Sequence, residues 1–467
     1  MHERRRSSSW SAVVAATIVW LWAPGFAWAQ AATGPLTLGD AVQSALKNYP
    51  TLKERRARAE AAEAGVGVAR TAYLPRLDVL WQENRATTNN VFGTLLPQPT
   101  IFSMTGPVQG TRSLSDSVWG SALGALLSWE AVDFGQRKAA VDAARAQSAV
   151  ARNQTTVTEL DVASAAADAF LTVLAADEAV RAARANVDRL EVFANSVRTL
   201  VQNQLRPGAD QSRAEAELAI ARNQLSQAIQ VADLARASLA DAIGSAGTSP
   251  QLTAGSLAVL PDGTIAPLNV KTHPAAQAGE ASIEAVQARE RGLDRAYFPR
   301  LTLQSTVAAR GTGAEIAGLP SFGNGLWVHV PNWAIGAQVT FGALDFFSIN
   351  ARKKVEAQNE IAESARYDQT VQTLTTQDAK ARALLKAATD IAKNTPVERE
   401  AATAGESQAR ARYQNGLASL TEVAEAQRLL AQAEADDAVA RLGVWRALLA
   451  AAQARGDLTP FLDQLRR

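Results

Sequence analysis

Residues 117–129 read Ser117-Val-Trp119-Gly-Ser-Ala-Leu-Gly-Ala-Leu-Leu-Ser-Trp129, a run without a charge held between Asp116 and Glu130. It is too short to cross a bilayer as a helix, which takes about 20 residues, but it has the length of a tilted transmembrane β-strand, roughly 9–11 residues. Trp119 and Trp129 fall on the same face of such a strand. At roughly 3.3 Å per residue and a tilt of about 45°, they stand about 23 Å apart along the membrane normal. The apolar band of an outer-membrane barrel, framed by aromatic girdles, is about 25 Å tall. Three more segments read the same way: about 77–88, where Leu77, Val79 and Trp81 fall on alternate positions, about 301–310, and about 333–344. Trp81, Trp119, Trp129, Trp327 and Trp333 all lie in or beside these runs, and the first, second, third and fifth are the expected membrane girdle. Two hairpins of a soluble sandwich are the competing reading.

The strands belong to an internal repeat. Tyr49-Pro50 precedes Tyr73-Leu-Pro75-Arg76-Leu77, and His273-Pro274 precedes Tyr297-Phe-Pro299-Arg300-Leu301 at the same spacing. Asp133-Phe134 returns as Asp345-Phe346, and Asn203-Gln204-Leu205 as Asn415-Gly416-Leu417. Such duplication sets architecture before any motif does. The first copy, 30–266, and the second, 267–467, each hold one hairpin and two long helices, expected at about 134–203 and 210–243, then at about 346–414 and 419–455. Between Gln136 and Arg206 there is neither Gly nor Pro. A helix of that length spans about 105 Å at 1.5 Å per residue, too long for a globule. Val187, Leu190, Ala194, Val197 and Val201 repeat at three-four spacing and require a partner helix. Pro396 is expected to kink or break the second long helix.

Composition narrows the function. Arg4 to Arg6, the apolar run Ala12–Ala23 and Ala27-Trp28-Ala29 have the form of a secretory signal peptide covering residues 1–29. The chain has no Cys, three His and a net charge of +1. Disulfides, thiolate metal sites and Cys lipidation are excluded, a His-based cofactor site has almost no ligands, and no basic excess points to nucleic acid. No GxSxG, GxxxxGK[ST] or HExxH motif occurs, so no enzyme class is indicated and no cofactor is expected. His273 takes the place of Tyr49 and reads as the residue that starts a helix. His329 reads as a surface histidine.

Four strands cannot close a barrel, and open edges are not tolerated in lipid. Oligomerisation is required, and arithmetic alone does not choose between eight and twelve strands.

From Leu36 to Leu465 the chain resembles the TolC-type outer-membrane efflux proteins, on the doubled Tyr/His-Pro…Tyr-x-Pro-Arg-Leu lead into each hairpin, the Asp-aromatic exits and the helix-turn-helix tips. The resemblance implies a mixed α/β membrane fold. Three chains would build a 12-stranded β-barrel in the outer membrane, continued by a periplasmic α-helical barrel. The implied function is a passive exit duct for a tripartite efflux or type I secretion system, partnered by a periplasmic adaptor and an inner-membrane pump. By the same resemblance, Tyr413, Asp210, Glu422 and Glu425 match gate and entrance positions, and Gly416 and Leu417, with Gln204 and Leu205 in the first copy, match adaptor-docking tips. Ala418 replaces the family's gate arginine, and Arg206 is expected to substitute for it. Ordinary helix charge and N-terminal capping are the plain alternatives for Asp210 and the two glutamates. A periplasmic coiled-coil adaptor would share the helical hairpins but would not need the strands.

Overall fold

The computed structural model describes residues 35–87, 99–100, 117–261, 263, 265–313 and 325–465. The expected signal peptide and most of the two hairpin loops lie outside them.

Two short helices open the chain, α1 (Leu38–Asn48) and α2 (Pro50–Thr71). Thr37 and Asp40 close a capping box on α1, which satisfies two otherwise orphaned backbone donors. Pro50 stands in the first turn of α2, where its missing N–H costs nothing. Strands β1 (Arg76–Thr87) and β2 (Ser117–Val132) follow, then the long helix α3 (Gln136–Gln202) and its return α4 (Gly208–Ala242). After two 3₁₀ turns the pattern repeats as α5 (Pro274–Arg295), β3 (Arg300–Thr312), β4 (Val330–Thr340), α6 (Asp345–Gln414) and α7 (Leu420–Arg455), with a short α8 (Thr459–Gln464) at the end.

The four strands form one antiparallel sheet in chain order, β1-β2-β3-β4. The register sorts its faces. Trp81 pairs with Leu123, Trp129 with Leu303, and Val307 with Trp333, so these apolar residues share one face. Trp81, Val79, Val307, Trp333, Ile335 and Val339 are all exposed there. The other face carries Gln82 beside Ala122 and Arg310, Gln304 beside Ser128, and Thr302 beside Gln338. Apolar on one side and polar on the other, with β1 and β4 unpaired on their outer edges among the described residues, the sheet is a segment of a larger closed surface. The fourth strand starts and ends earlier than the uncharged run suggested. It pairs from Val330, and Phe341–Leu344 forms the turn into α6.

The helices make a wall. At 67 residues α3 extends about 100 Å. It is flanked in its upper part by α2 and α5 and further down by α4 and α7. The shorter helices meet end to end. Gly244, at φ +71°, lies against Asn48 at the end of α1, and Gly456, at φ +78°, lies against His273 and Pro274 at the start of α5. A Cβ at Gly456 would collide with those atoms and one at Gly244 would crowd Asn48, and both left-handed turns favour glycine for backbone angle. The largest apolar core sits where α1, α3, α4 and α7 converge with α8, around Phe170, Leu171, Trp445 and Phe461.

Pro396 does not break α6, which is helical from Asp345 to Gln414. The proline removes one backbone bond, but the flanking turns are tied to α7. Asp437 accepts from Thr395 Oγ1 at 3.4 Å and pairs with Arg399 at 2.8 Å, and Ala392 and Ala402 are buried.

Candidate functional site: the helical tips

Both tips use the same backbone device. In the first, the N–H of Leu205 reaches back to Leu200 O at 2.8 Å and that of Gln204 to Val201 O at 2.9 Å. In the second, Leu417 N–H bonds Arg412 O at 2.8 Å and Gly416 N–H bonds Tyr413 O at 3.0 Å. These are Schellman closures, which require a left-handed residue. Gly416 supplies it at φ +79°, whereas the first tip holds Gln204 at φ +59°. Leu205 and Leu417 project from the tips, about two-thirds exposed.

The return helices start differently. Ser419 caps α7: its Oγ accepts from Glu422 N–H at 3.3 Å, while the Glu422 carboxylate accepts from Ser419 N–H at 3.2 Å. At the corresponding place Pro207 precedes α4 and provides no side-chain cap. Asp210 lies in the first turn of α4, and its carboxylate turns toward the other tip.

There it meets Tyr413. The Tyr413 hydroxyl donates to Asp210 Oδ2 at 3.1 Å. The ring is 1% exposed, tilted against Phe193 at 5.7 Å and covered on a face by the Arg206 guanidinium at 4.3 Å. Arg206 also donates to the Tyr413 carbonyl. Burial, reinforced by the bond to Asp210, pushes the Tyr413 phenol up to about 12. The two hairpins, far apart in sequence, are thereby locked at their ends by one aromatic ring held between a cation and an anion. Ala418, which stands where the family's gate arginine would, is buried and packs into the same cluster.

The two glutamates stand apart from this lock. Glu422 is committed to its capping box and has Arg412 at 4.0 Å. Glu425 is exposed and bonds Arg428 at 2.6 Å on its own helix, which holds its carboxyl below the usual range. The sequence reading did not include Arg428 or Phe193. Arg428 follows Glu425 by three positions, the spacing of a helical ion pair, and was legible. Phe193 belongs to the three-four apolar row but is not specific in sequence.

At the far end of the molecule, Trp81 and Trp333 are each 78% exposed on the apolar face of the sheet. Trp129 is partly exposed there and donates to Tyr73 O at 3.2 Å. Trp119 is half-buried, with Arg85 over its ring at 5.8 Å. His273 starts α5 as expected, accepting from Ala275 N–H on Nδ1 at 3.1 Å. His329 Nδ1 lies 3.2 Å from Trp327 O. Among the described residues no group of His, Cys, Asp and Glu is arranged to hold a metal, and no helix is long and apolar enough to cross a membrane.

A sheet with one apolar face and two open edges, continued by a wall of helices about 100 Å long, defines the class: one sector of a membrane-embedded duct. The sequence profile of the outer membrane efflux proteins matches residues 41–245 and 270–457, and the chain belongs to that family. No curated protein matches it by sequence. Among solved structures, the Campylobacter jejuni CmeC outer membrane channel is 16% identical, covering 92% of this chain and 89% of its own, with a TM-score of 0.73. The open state of the Neisseria gonorrhoeae MtrE outer membrane channel is 20% identical over 90% of this chain and 89% of its own, at 0.72. The Vibrio cholerae outer membrane protein VceC is 17% identical over 90% and 96%, at 0.71. The fold is theirs, and the four strands set the chain apart from a coiled-coil adaptor. The protein is an outer-membrane exit duct of the efflux type, with the architecture of a channel rather than an enzyme.

Proposed function

We propose that three copies assemble into the working duct, a twelve-stranded barrel in the outer membrane above a periplasmic helical tunnel. The carrying observation is the double incompleteness of one chain. The sheet ends in two unpaired strands, and α6 leaves Val355, Ile361, Leu384, Ile391 and Val397 exposed along its length. On the other side α4 exposes Ile220, Val231 and Leu234. An edge of one copy meeting the opposite edge of the next is a head-to-tail contact, which closes into a ring. Three copies leave a lumen, whereas eight strands would fill their own interior.

In this assembly residues 1–29 direct export and are removed. Trp81, Trp119, Trp129 and Trp333 face outer-membrane lipid. The tips at Gln204-Leu205 and Gly416-Leu417 point into the periplasm and receive an adaptor protein, which joins the duct to an inner-membrane pump. The Tyr413–Asp210–Arg206 lock holds the periplasmic end closed, and the duct conducts passively once it opens. Glu422 and Glu425, repeated in three copies, line the entrance and favour cations. Pairing of Glu425 with Arg428 makes Glu422 the stronger ring.

Native mass spectrometry of protein extracted from outer membranes in mild detergent tests the assembly. A complex of three chains is expected, and a soluble monomer or dimer overturns it. In planar bilayers, Glu422→Gln with Glu425→Gln should lower cation selectivity; unchanged selectivity removes the entrance assignment.

A further inference from the structure

A groove of about 350 Å³ opens where the end of α7 meets the start of α5, between α3 and α6. Its apolar walls are Val157, Leu160 and Leu374, and Asp161 stands among them. Among the described residues no hydrogen bond or salt bridge reaches the Asp161 carboxylate. Its neighbour His273 has both ring nitrogens engaged in the joint, Nδ1 by Ala275 N–H and Nε2 facing Gln453 O at 3.4 Å, and burial pushes its pKa down. Arg366 also lines the groove, but its guanidinium is held by Glu363 at 2.8 Å. Asp168, two turns further along the same helix, is matched by Arg446 at 3.3 Å. Asp161 has no such partner among the described residues. The groove walls partly enclose this otherwise exposed carboxyl and push its pKa up.

The position on α3 says where the groove opens. Val162, Ala163, Ala166 and Phe170 are buried in the core shared with α1, whereas Asp161 is exposed on the opposite face. With the helices arranged as a tunnel wall, that face looks into the lumen, a placement that rests on the duct reading.

We infer that this groove is a binding site for an organic cation, taking an ammonium N–H on Asp161 and an apolar body against Val157, Leu160 and Leu374. Its size is that of a small-molecule site, and one convergent charge in an apolar cleft is the usual recipe for orienting such a ligand. Gln369, Thr373 and Gln377 at the rim can bond polar substituents. The duct wall would then hold amphiphilic amines in transit as well as enclosing them.

The test uses the detergent-solubilised full assembly and fluorescence anisotropy with dansylcadaverine, an apolar fluorophore with a primary ammonium; neutral dansylamide and empty micelles serve as comparisons. Saturable binding is expected, weakened by at least about tenfold in Asp161→Asn, the size expected for losing a charged hydrogen bond. Asp168→Asn should leave it unchanged. Val157→Trp, on the apolar wall that α3 contributes, should block the groove and abolish binding even if Asp161→Asn assembles poorly. Equal affinity of wild type and Asp161→Asn, equal binding of dansylamide, or no effect of Val157→Trp overturns the site. Native mass and conductance of the same wild-type sample report separately on the duct reading.

Discussion

The two helical tips are copies of one motif that have divided the work. The second is built for stability: Gly416 in the left-handed position, Ser419 and Glu422 in a closed capping box, and Arg428 on Glu425. The first has none of these. A glutamine takes the left-handed turn, a proline stands at the cap, and Arg206 and Asp210 are both directed at Tyr413 of the other tip. The first tip has given up local satisfaction for a contact between hairpins. Separating the hairpins would break the contacts of Arg206 and Asp210 with Tyr413, and the gate proposed above rests on that joint.

Tyr413→Ala should have the largest effect, since it removes the ring between Phe193, Arg206 and Asp210. By analogy with large-to-small aromatic substitutions it should destabilise the joined tips by about 3 kcal/mol. Faster hydrogen exchange at 200–210 and 413–420 and a higher bilayer conductance would report it. Unchanged exchange in the first tip would mean that the tips do not support each other. Tyr413→Phe isolates the hydroxyl and should cost about 1–2 kcal/mol, because Asp210 is left without its donor. In a double-mutant cycle with Asp210→Asn the two changes should be strongly non-additive.

Ser419→Ala should cost about 1 kcal/mol by opening the capping box, whereas Pro207→Ala should change little, because no side chain caps α4. Equal effects would erase the asymmetry. Gln204→Gly should stabilise the first tip by up to about 1 kcal/mol by relieving its positive φ, and Gly416→Ala should destabilise the second by a similar amount. Thermal melts of the assembly with tip-resolved exchange separate the two.

The most specific effect is one of pH. The Tyr413 phenol is raised to about 12 from an unfolded value near 10, so its neutral form is favoured in the native state. Its contribution is complete below about pH 10 and lost as pH rises toward about 12. Tyrosinate absorbance in difference against Tyr413→Phe should show one late-titrating phenol. Titration near 10 would mean that the lock is open in solution.

Much of this molecule was legible in its sequence because the signals are periodic or local. The uncharged, Trp-marked runs marked four strands, the Gly- and Pro-free stretch marked α3, and duplication marked two copies. Local signals failed where tertiary contact decided. Pro396 is a helix breaker on its own, yet ties between Thr395, Arg399 and Asp437 carry α6 through it. The start of β4 at Val330 follows from its pairing with Arg310, which the uncharged run could not register.

The sequence by itself determined which segments are strands and which are long helices, since backbone preference and hydrophobic period depend only on neighbours along the chain. It also determined which residues sit at each tip. Only the tertiary structure decided that Arg206 and Asp210 close on Tyr413, that Glu425 is neutralised by Arg428 while Asp161 is left without a cation, and that α3 is surrounded while α6 stands at an edge. Twenty-one residues of α3 are buried against ten of α6. Such differences depend on which elements lie side by side, and the sum of packing across the whole chain settles that.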